Sequence, residues 1–555
     1  MKLVKAQVLN YRSIEDSSDF EVDDLTCLVG KNEAGKSSLL LALRGMNPFH
    51  PFEYDRTTDY PRRFLSRYDE RHPNGKSVVI KCWWKLEPQD LEPVVEGFGP
   101  EALKSDVFST ERGFGSDKSE WALAINHTAC LNHLLAAHAL DDLERDAVKS
   151  AKDCASAVAA LTTLTQRSPK LEGLLTQLQS YKNGFWGAIA GSINLPKFFY
   201  TSHFDRMSGE IALTQLAEDR EQKKIKVGDK IFLDFLEYAG TSIEDLQNVQ
   251  KSEELKAMLE GASNDITQEI FEFWSQNDSL EIKIDIAQGK PGDMPPFNNG
   301  TVIKIRIENR NHRASVPLSE RSAGFVWFFS FLAQFKQLKK KTGNAVLLLD
   351  EPGLTLHGKA QADLLRYIQD RLLPEHQVVY TTHSPFMIPA ERLNNVRIVE
   401  DVVERPKGGR PIVRGTKVSR DVLHVDRDTI FPLQGALGYE ISQSLFVGKN
   451  TLLVEGPSDI LYLQVASAAL RKRGRHHLDT KWTCCPCGGI DKISPFVSLF
   501  GGNHLNIAVL CDLGVGDKTK VEKLRRSEIL KVGRLFTAAD FSGKPESDIE
   551  DFWLS

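Results

Sequence analysis

Several stretches of the chain end an apolar run on residues that could do chemistry. Gly30-Lys31-Asn32-Glu33-Ala34-Gly35-Lys36-Ser37, followed by Ser38, matches GxxxxGK[ST] between a strand-like run and a helix-like run. In that context the backbone amides of the loop, from Gly30 and Asn32 through Gly35 to Ser38, suit phosphate oxygens. Lys36 suits the β- and γ-phosphates of ATP, and the Ser37 hydroxyl suits Mg²⁺. Leu347-Leu348-Leu349-Asp350-Glu351-Pro352 is an apolar strand closing on two acids, and buried carboxylates are costly unless they serve a metal or a reacting group. Asp350 is expected to help hold Mg²⁺ and Glu351 to polarise the attacking water. His383, at the end of VVYTTHS, is placed to sense the γ-phosphate. Far downstream, NTLLVEGPSDILYL runs into Glu455, Gly456 and Pro457, and a later apolar run, Ile507 to Cys511, ends on Asp512.

These residues need elements to hold them. Alternating apolar positions at 3–8 and 20–29 read as short strands leading into the phosphate loop. From about 130 to 190, apolar residues recur at three- and four-residue spacing with almost no Gly or Pro, which predicts a helical insert. Helix is expected again over 229–276, strands at EIKIDIAQ and TVIKIRIENRN, a helix at FVWFFSFLAQF, and a helix over 358–373. Residues 404–420, rich in Pro, Gly, Arg and Lys, read as a turn or linker closing the first unit. After Glu440 a second pattern alternates helix 437–446, strand 451–455, helix 458–474, strand 481–485, helix 490–500, strand 506–511 and helix 518–530. That alternation predicts a mostly parallel sheet, and two acids at adjacent strand ends would face the crevice where such sheets place ligands.

Composition sets limits. No run reaches the length of a membrane span and the N-terminus lacks a secretory pattern, so a cytoplasmic protein without membrane partners is expected. Eight scattered cysteines form no disulfide framework, and Cys484, Cys485 and Cys487 lack the second ligand pair that zinc needs. A formal charge of -5 excludes a generally basic nucleic-acid binder, leaving local patches at Lys339–Lys341, Arg405–Arg420 and Arg471–Arg475, or ordinary solvated loops.

The phosphate loop, LLLDEPGLTLH and TTHSP resemble the ATPase heads of the ABC type found in DNA-repair and chromosome-maintenance proteins. The resemblance implies a serine-glycine signature ahead of the second acid motif. Leu318-Ser319-Glu320-Arg321-Ser322-Ala323-Gly324 occupies that slot, with either Ser319 or Ser322 as the signature serine and Gly324 beside it. It also implies ATP sandwiched between two copies, hence a homodimer or higher homo-oligomer. TLLVEGPSDILYL, CCPCGGIDKISPFVSLF, AVLCDLGVGDK and SDIEDFW follow the order of the Toprim domain in the overcoming-lysogenization-defect (OLD) family of ATP-dependent nucleases. Carried over, Glu455 and Asp459 match the first metal cluster, Asp512 the second, and Asp548 with Glu550 the acidic DIED segment, binding Mg²⁺ or Mn²⁺ for DNA cleavage. The usual DxD is here Asp512-Leu513-Gly514, so the second acid is missing unless Asp517 substitutes, and relatives are expected to continue past Ser555.

The expected fold class is α/β: an ABC-type P-loop ATPase head with a helical insert, followed by a Toprim domain with a mostly parallel sheet. The expected domains are an ATPase N-terminal lobe at 1–130, a helical dimerisation or arm insert at 131–190, the rest of the ATPase at 191–420 and a shortened Toprim domain at 421–555. The resemblance implies an ATP-regulated DNA endonuclease acting against bacteriophage or foreign DNA, alone or with an accessory defence protein. The rival reading is an ATP-dependent DNA sensor with an impaired Toprim site.

Overall fold

The computed structural model describes all residues except 117, 139, 165–167, 248–251, 274–279, 343, 405–411, 421–449, 492, 494–496, 498–505, 515–516, 526–533 and 554–555. The expected helix 437–446, most of 490–500, the end of 518–530 and the basic residues from Arg405 to Arg410 lie outside the described residues. The side chains of Lys339–Lys341 are likewise outside them. The chain forms two compact units, Met1–Pro432 and Leu433–Ser555.

In the first unit, β1 (Lys2–Tyr11) runs into β2 (Leu25–Val29), and the phosphate loop then opens helix α1 (Lys36–Arg44). Strands β3 (Ser77–Lys85) and β4 (Val107–Phe114) pair antiparallel beside β1. Helices at His127–Ala137, Cys154–Thr162, Pro169–Ser180 and Gly184–Ser192 form the expected insert. Leu131, Leu174, Phe185 and Ile189 of this insert share one core with Leu3, Val8, Trp84 and Phe198, so the insert is built into the body of the first unit. The chain continues through β5 (Lys197–Ser202) and the antiparallel pair β6 (Leu280–Gln288) and β7 (Thr301–Asn309). It then enters helix α2 (Ala323–Thr342), β8 (Ala345–Asp350), β9 (Gln377–Thr382), β10 (Val396–Glu404) and β11 (Ile412–Ser419).

A six-stranded sheet in the order β11-β10-β2-β9-β8-β5 carries the nucleotide motifs. Every residue of β2, β8 and β9 is buried, as expected of parallel strands covered on both faces. The linker expected at 404–420 is corrected here. Residues 412–419 form an antiparallel edge strand on β10, with a register shift between Val402 and Val403. Its exposed, polar edge face hides the strand signal beneath Gly, Arg and Lys.

One buried cation ties the sheet to the N-terminal strands. Arg397, 1% exposed, lies 2.5 Å from Asp23 and donates to the carbonyl oxygens of Glu21 and Asn394. Removing one partner of such a group leaves the others unsatisfied. Arg397→Ala is therefore expected to destabilise the first unit by about 3 kcal/mol, read as a lowered denaturant midpoint at unchanged slope.

The second unit is a four-stranded, all-parallel sheet. Its strands β12 (Asn450–Val454), β13 (Trp482–Pro486), β14 (Asn506–Cys511) and β15 (Leu535–Thr537) stand in the order β13-β12-β14-β15. Helix α3 (Pro457–Lys472) follows β12, and α4 (Lys518–Arg525) follows β14. Leu453, Cys485, Ile493, Val497 and Val509 pack one face. Among the described residues, no helix is long and apolar enough to cross a membrane.

Candidate functional site

In the first unit the loop after β2 delivers Lys36 and Ser37 to the start of α1, and β8 and β9 end beside them. Gly35 caps α1 at φ 99°, a conformation that glycine alone takes without strain. A Cβ there would also stand 2.4 Å from the Thr416 hydroxyl of β11, which closes the loop from the other side. Lys36 is buried and donates to the carbonyl oxygens of Gly30 (2.8 Å) and Lys31 (2.9 Å), with Glu351 at 3.8 Å. Burial pushes its pKa down, and the nearby Glu351 and Asp350 partly offset that.

Asp350 sits among hydroxyls. Ser37 donates to its Oδ1 at 3.0 Å, Thr381 to the same oxygen at 2.7 Å, and Tyr200 to Oδ2 at 3.1 Å. Burial against this carboxylate raises the Tyr200 phenol well above its ordinary pKa. The Thr381 hydroxyl also accepts from the Glu351 N–H at 2.8 Å, so one threonine fixes both acids. Glu351 has φ 49°, a strained backbone for a non-glycine residue, and strain of this kind gathers at functional sites. His383 Nδ1 lies 3.1 Å from Glu351 Oε2 without hydrogen-bond geometry, a close electrostatic pair. A buried carboxylate facing the Ser37 hydroxyl fits Mg²⁺ in kind. Glu351 lies across the loop from Lys36, 3.8 Å from its Nζ.

The two candidate signature serines separate. Ser319 lies in a 3-10 turn, Leu318–Glu320, whereas exposed Ser322 caps α2, its carbonyl accepting from the Val326 N–H at 3.2 Å. Gly324 is needed for packing, because a Cβ there would lie 2.2 Å from a Leu356 methyl. Tyr200, Thr381 and Thr416 are the site residues that motif reading missed. Thr381 lies within the quoted TTHSP, while Tyr200 and Thr416 come from strands with no local signal.

In the second unit the acids meet. β12 and β14 are neighbours in parallel register, so Glu455 and Asp512 leave adjacent strand ends. The Asp512 N–H donates to Glu455 Oε1 at 3.0 Å. Asp459, 6% exposed, accepts from the Gly456 N–H at 2.9 Å at the start of α3. The DIED segment is tied to the same place. Leu513 and Ser547 exchange backbone hydrogen bonds of 2.9 and 3.1 Å, and the Ile549 N–H donates to Asp512 Oδ1 at 3.0 Å. A Cβ on Gly514 would lie 3.1 Å from Asp517 Oδ2, so the Asp517 carboxylate reaches the neighbourhood of the missing acid, with Lys520 at 3.3 Å. Asp548 is exposed at the surface.

Burial, with Asp459 and Glu455 close by and Glu550 adding to them, pushes Asp512 up to about 7. Glu455 is also raised, first by burial and then by Asp459 and Asp517. Carboxylate oxygens are donors of the right kind for a hard divalent cation. Among the described residues, however, no three His, Cys, Asp or Glu groups stand at metal-holding separation.

The shift has a stability consequence. A carboxyl whose folded pKa is raised contributes stability that is complete below the ordinary Asp range, near about 4, and is lost as pH rises through the folded value of about 7. In chelator, the thermal midpoint of the second unit is expected to fall between about pH 4 and about pH 7 more steeply in the unmodified protein than in Asp512→Asn.

The family model for AAA ATPase domains, AAA_15, matches residues 1–388, more than two thirds of the chain. The chain belongs to this AAA ATPase family. A curated relative of this AAA ATPase, the OLD nuclease of Thermus scotoductus (strain ATCC 700910 / SA-01), is 23% identical over 293 residues, 51% of this chain and 52% of that protein. An uncharacterised protein of Methanocaldococcus jannaschii, MJECL44, is 29% identical over 90 residues, 16% of this chain and 26% of that protein. The chain thus spans about half the length of the first relative and about a quarter of the second. Among solved structures, an SMC head bound to the C-winged helix domain of ScpA covers 76% of this chain and 97% of its own at 13% identity and TM-score 0.35. The SMC head domain of Thermotoga maritima covers 76% and 98% at 11% identity and TM-score 0.31.

Proposed function

We propose that this ATPase is an ATP-regulated, Mg²⁺- or Mn²⁺-dependent DNA nuclease of the OLD type, with nucleotide chemistry in the first unit and strand cleavage in the second. The observation that carries the reading is the pairing of Glu455 with Asp512 at adjacent parallel strand ends, where burial and then the neighbouring Asp459 and Glu455 push Asp512 up to about 7. In the first unit, Lys36 and the loop amides bind the phosphates, Ser37 and Asp350 hold Mg²⁺, Glu351 orients water and His383 holds Glu351. Ser322, at the exposed start of α2, completes the site of a second copy, so the working form is a homodimer or higher. In the second unit, Glu455, Asp459, Asp512, Asp517 and Glu550 supply the metal ligands, with Asp517 serving for the acid absent at Gly514. A divalent metal held by these carboxylates would supply Lewis-acid stabilisation for phosphodiester hydrolysis. The residues of the chain hold the carboxylates together, and burial holds a proton on Asp512 until the pH passes about 7. We read this activity as one of defence against foreign DNA in the cytoplasm, a reading supported by the resemblance to the OLD family.

A specific observation favours a second reading, a DNA-binding sensor whose second unit is structural. Gly514 replaces an acid, and among the described residues no closed metal-holding group is present. Incubating supercoiled plasmid with the protein in Mg²⁺ or Mn²⁺, with and without ATP and beside Lys36→Ala, separates the two. Chelator-sensitive nicking supports the nuclease, and the lysine variant then gives the sign of ATP coupling. ATP turnover without any nicking supports the sensor.

A further inference from the structure

The second unit has a feature that metal chemistry does not use. On the sheet face opposite the Leu453 core, an open groove of about 710 Å³ is floored by Leu452, Leu470, Trp482, Phe536, Phe541 and Phe552. Its aromatic wall is accessible, since Phe541 is 64% exposed, Phe552 40% and Phe536 38%. Phe536 and Phe541 form a tilted pair with ring centroids 5.9 Å apart. Solvent-facing aromatics in such number mark an interaction site.

The rim identifies the occupant. Arg473 lines the groove, and Arg471, Lys472, Arg473 and Arg475 form an exposed cluster at the end of α3. Among the described residues none of the four has a carboxylate partner, although acids outnumber basic residues in this chain, 75 to 70. A second copy seated face to face would bring these rims together, and like charges at an interface are unfavourable. An uncharged apolar ligand would leave the cations unused. Single-stranded nucleic acid uses both features, with bases stacked on the aromatics and phosphates along the cations.

The groove is also continuous with the acid site. Ile549 lines it, and the N–H of that residue donates to Asp512 Oδ1. We infer that this groove binds an unpaired DNA strand by stacking its bases on Phe541 and Phe536 and pairing its phosphates with Arg471–Arg475, leading that strand towards Glu455 and Asp512. Delivery of that strand to Glu455 and Asp512 rests on the nuclease reading, whereas binding in the groove is tested without cleavage.

With the full-length protein in chelator, fluorescence anisotropy would compare a labelled oligothymidylate with a labelled hairpin duplex. Phe541→Ala is expected to weaken oligothymidylate binding at least about five-fold with little change for the duplex, and Phe541→Tyr to restore it. Arg473→Glu is expected to weaken oligothymidylate binding and flatten its salt dependence. Phe541 is exposed, so an unchanged melting temperature checks that its variants fold. Oligothymidylate affinity unchanged in Phe541→Ala would overturn the proposal. So would equal losses for single strand and duplex, the mark of a charged surface without stacking. A fall in oligomer mass on Phe541→Ala would overturn it in favour of a second copy covering the groove. A protein that binds as predicted yet never nicks plasmid would keep the groove and remove the nuclease.

Discussion

Glu351→Gln is expected to lower ATP turnover by about two to four orders of magnitude while leaving nucleotide binding in place. The carboxylate is held from three sides. Its backbone N–H is fixed by Thr381, one oxygen faces His383 at 3.1 Å and the other faces Lys36 at 3.8 Å. Glutamine keeps the shape and the Thr381 contact but cannot accept a proton from water. Lys36→Ala should differ in kind. It removes a buried cation from between the loop carbonyls and the two acids, so binding itself is expected to fail. Phosphate release kinetics beside fluorescent-nucleotide titration separate the two outcomes. A Glu351→Gln protein with undiminished turnover would move the base elsewhere.

The second large effect concerns the carboxylates of the second unit. Glu455→Gln and Asp512→Asn are each expected to weaken Mn²⁺ binding by about ten-fold or more, measured by calorimetry at a pH above about 7, where Asp512 is ionised. In the unmodified protein the affinity should rise as pH climbs through about 7, because cation and proton compete for the same oxygens. In Asp512→Asn that rise should largely vanish. Equal Mn²⁺ affinity in all three proteins would mean that the acid cluster is not the metal site.

Much of this was legible in the sequence, and the reasons differ by element. The phosphate loop, Asp350-Glu351 and His383 announce themselves because strand ends next to helix starts need specific residue types to bind phosphate. The buried strands β2, β8 and β9 read as continuous apolar runs for the same reason that they carry the site, being covered on both faces. Glu455 and Asp512 were visible as strand-end acids, and their adjacency follows from the parallel order of β12 and β14. What stayed hidden was tertiary. Tyr200 reaches Asp350 only because β5 lies beside β8, and Thr416 reaches Gly35 only because an edge strand rich in Gly, Arg and Lys folds back onto β10. Asp517 was offered by the sequence as a substitute for the acid missing at Gly514, and its carboxylate does reach that neighbourhood. The lining of the aromatic groove is scattered over strands and helices between Leu452 and Phe552, and only its basic rim stood out in the sequence.

On the proposed reading, strand cleavage belongs to the second unit and is separable from nucleotide chemistry in the first. The most direct measurement is nicking of supercoiled plasmid in Mn²⁺ by the unmodified protein, Glu455→Ala and Asp512→Ala, with ATP turnover assayed in the same preparations. The account predicts nicking by the unmodified protein only, with ATP turnover retained in all three. Nicking that survives in both variants, or that is lost only together with ATP turnover, would contradict it.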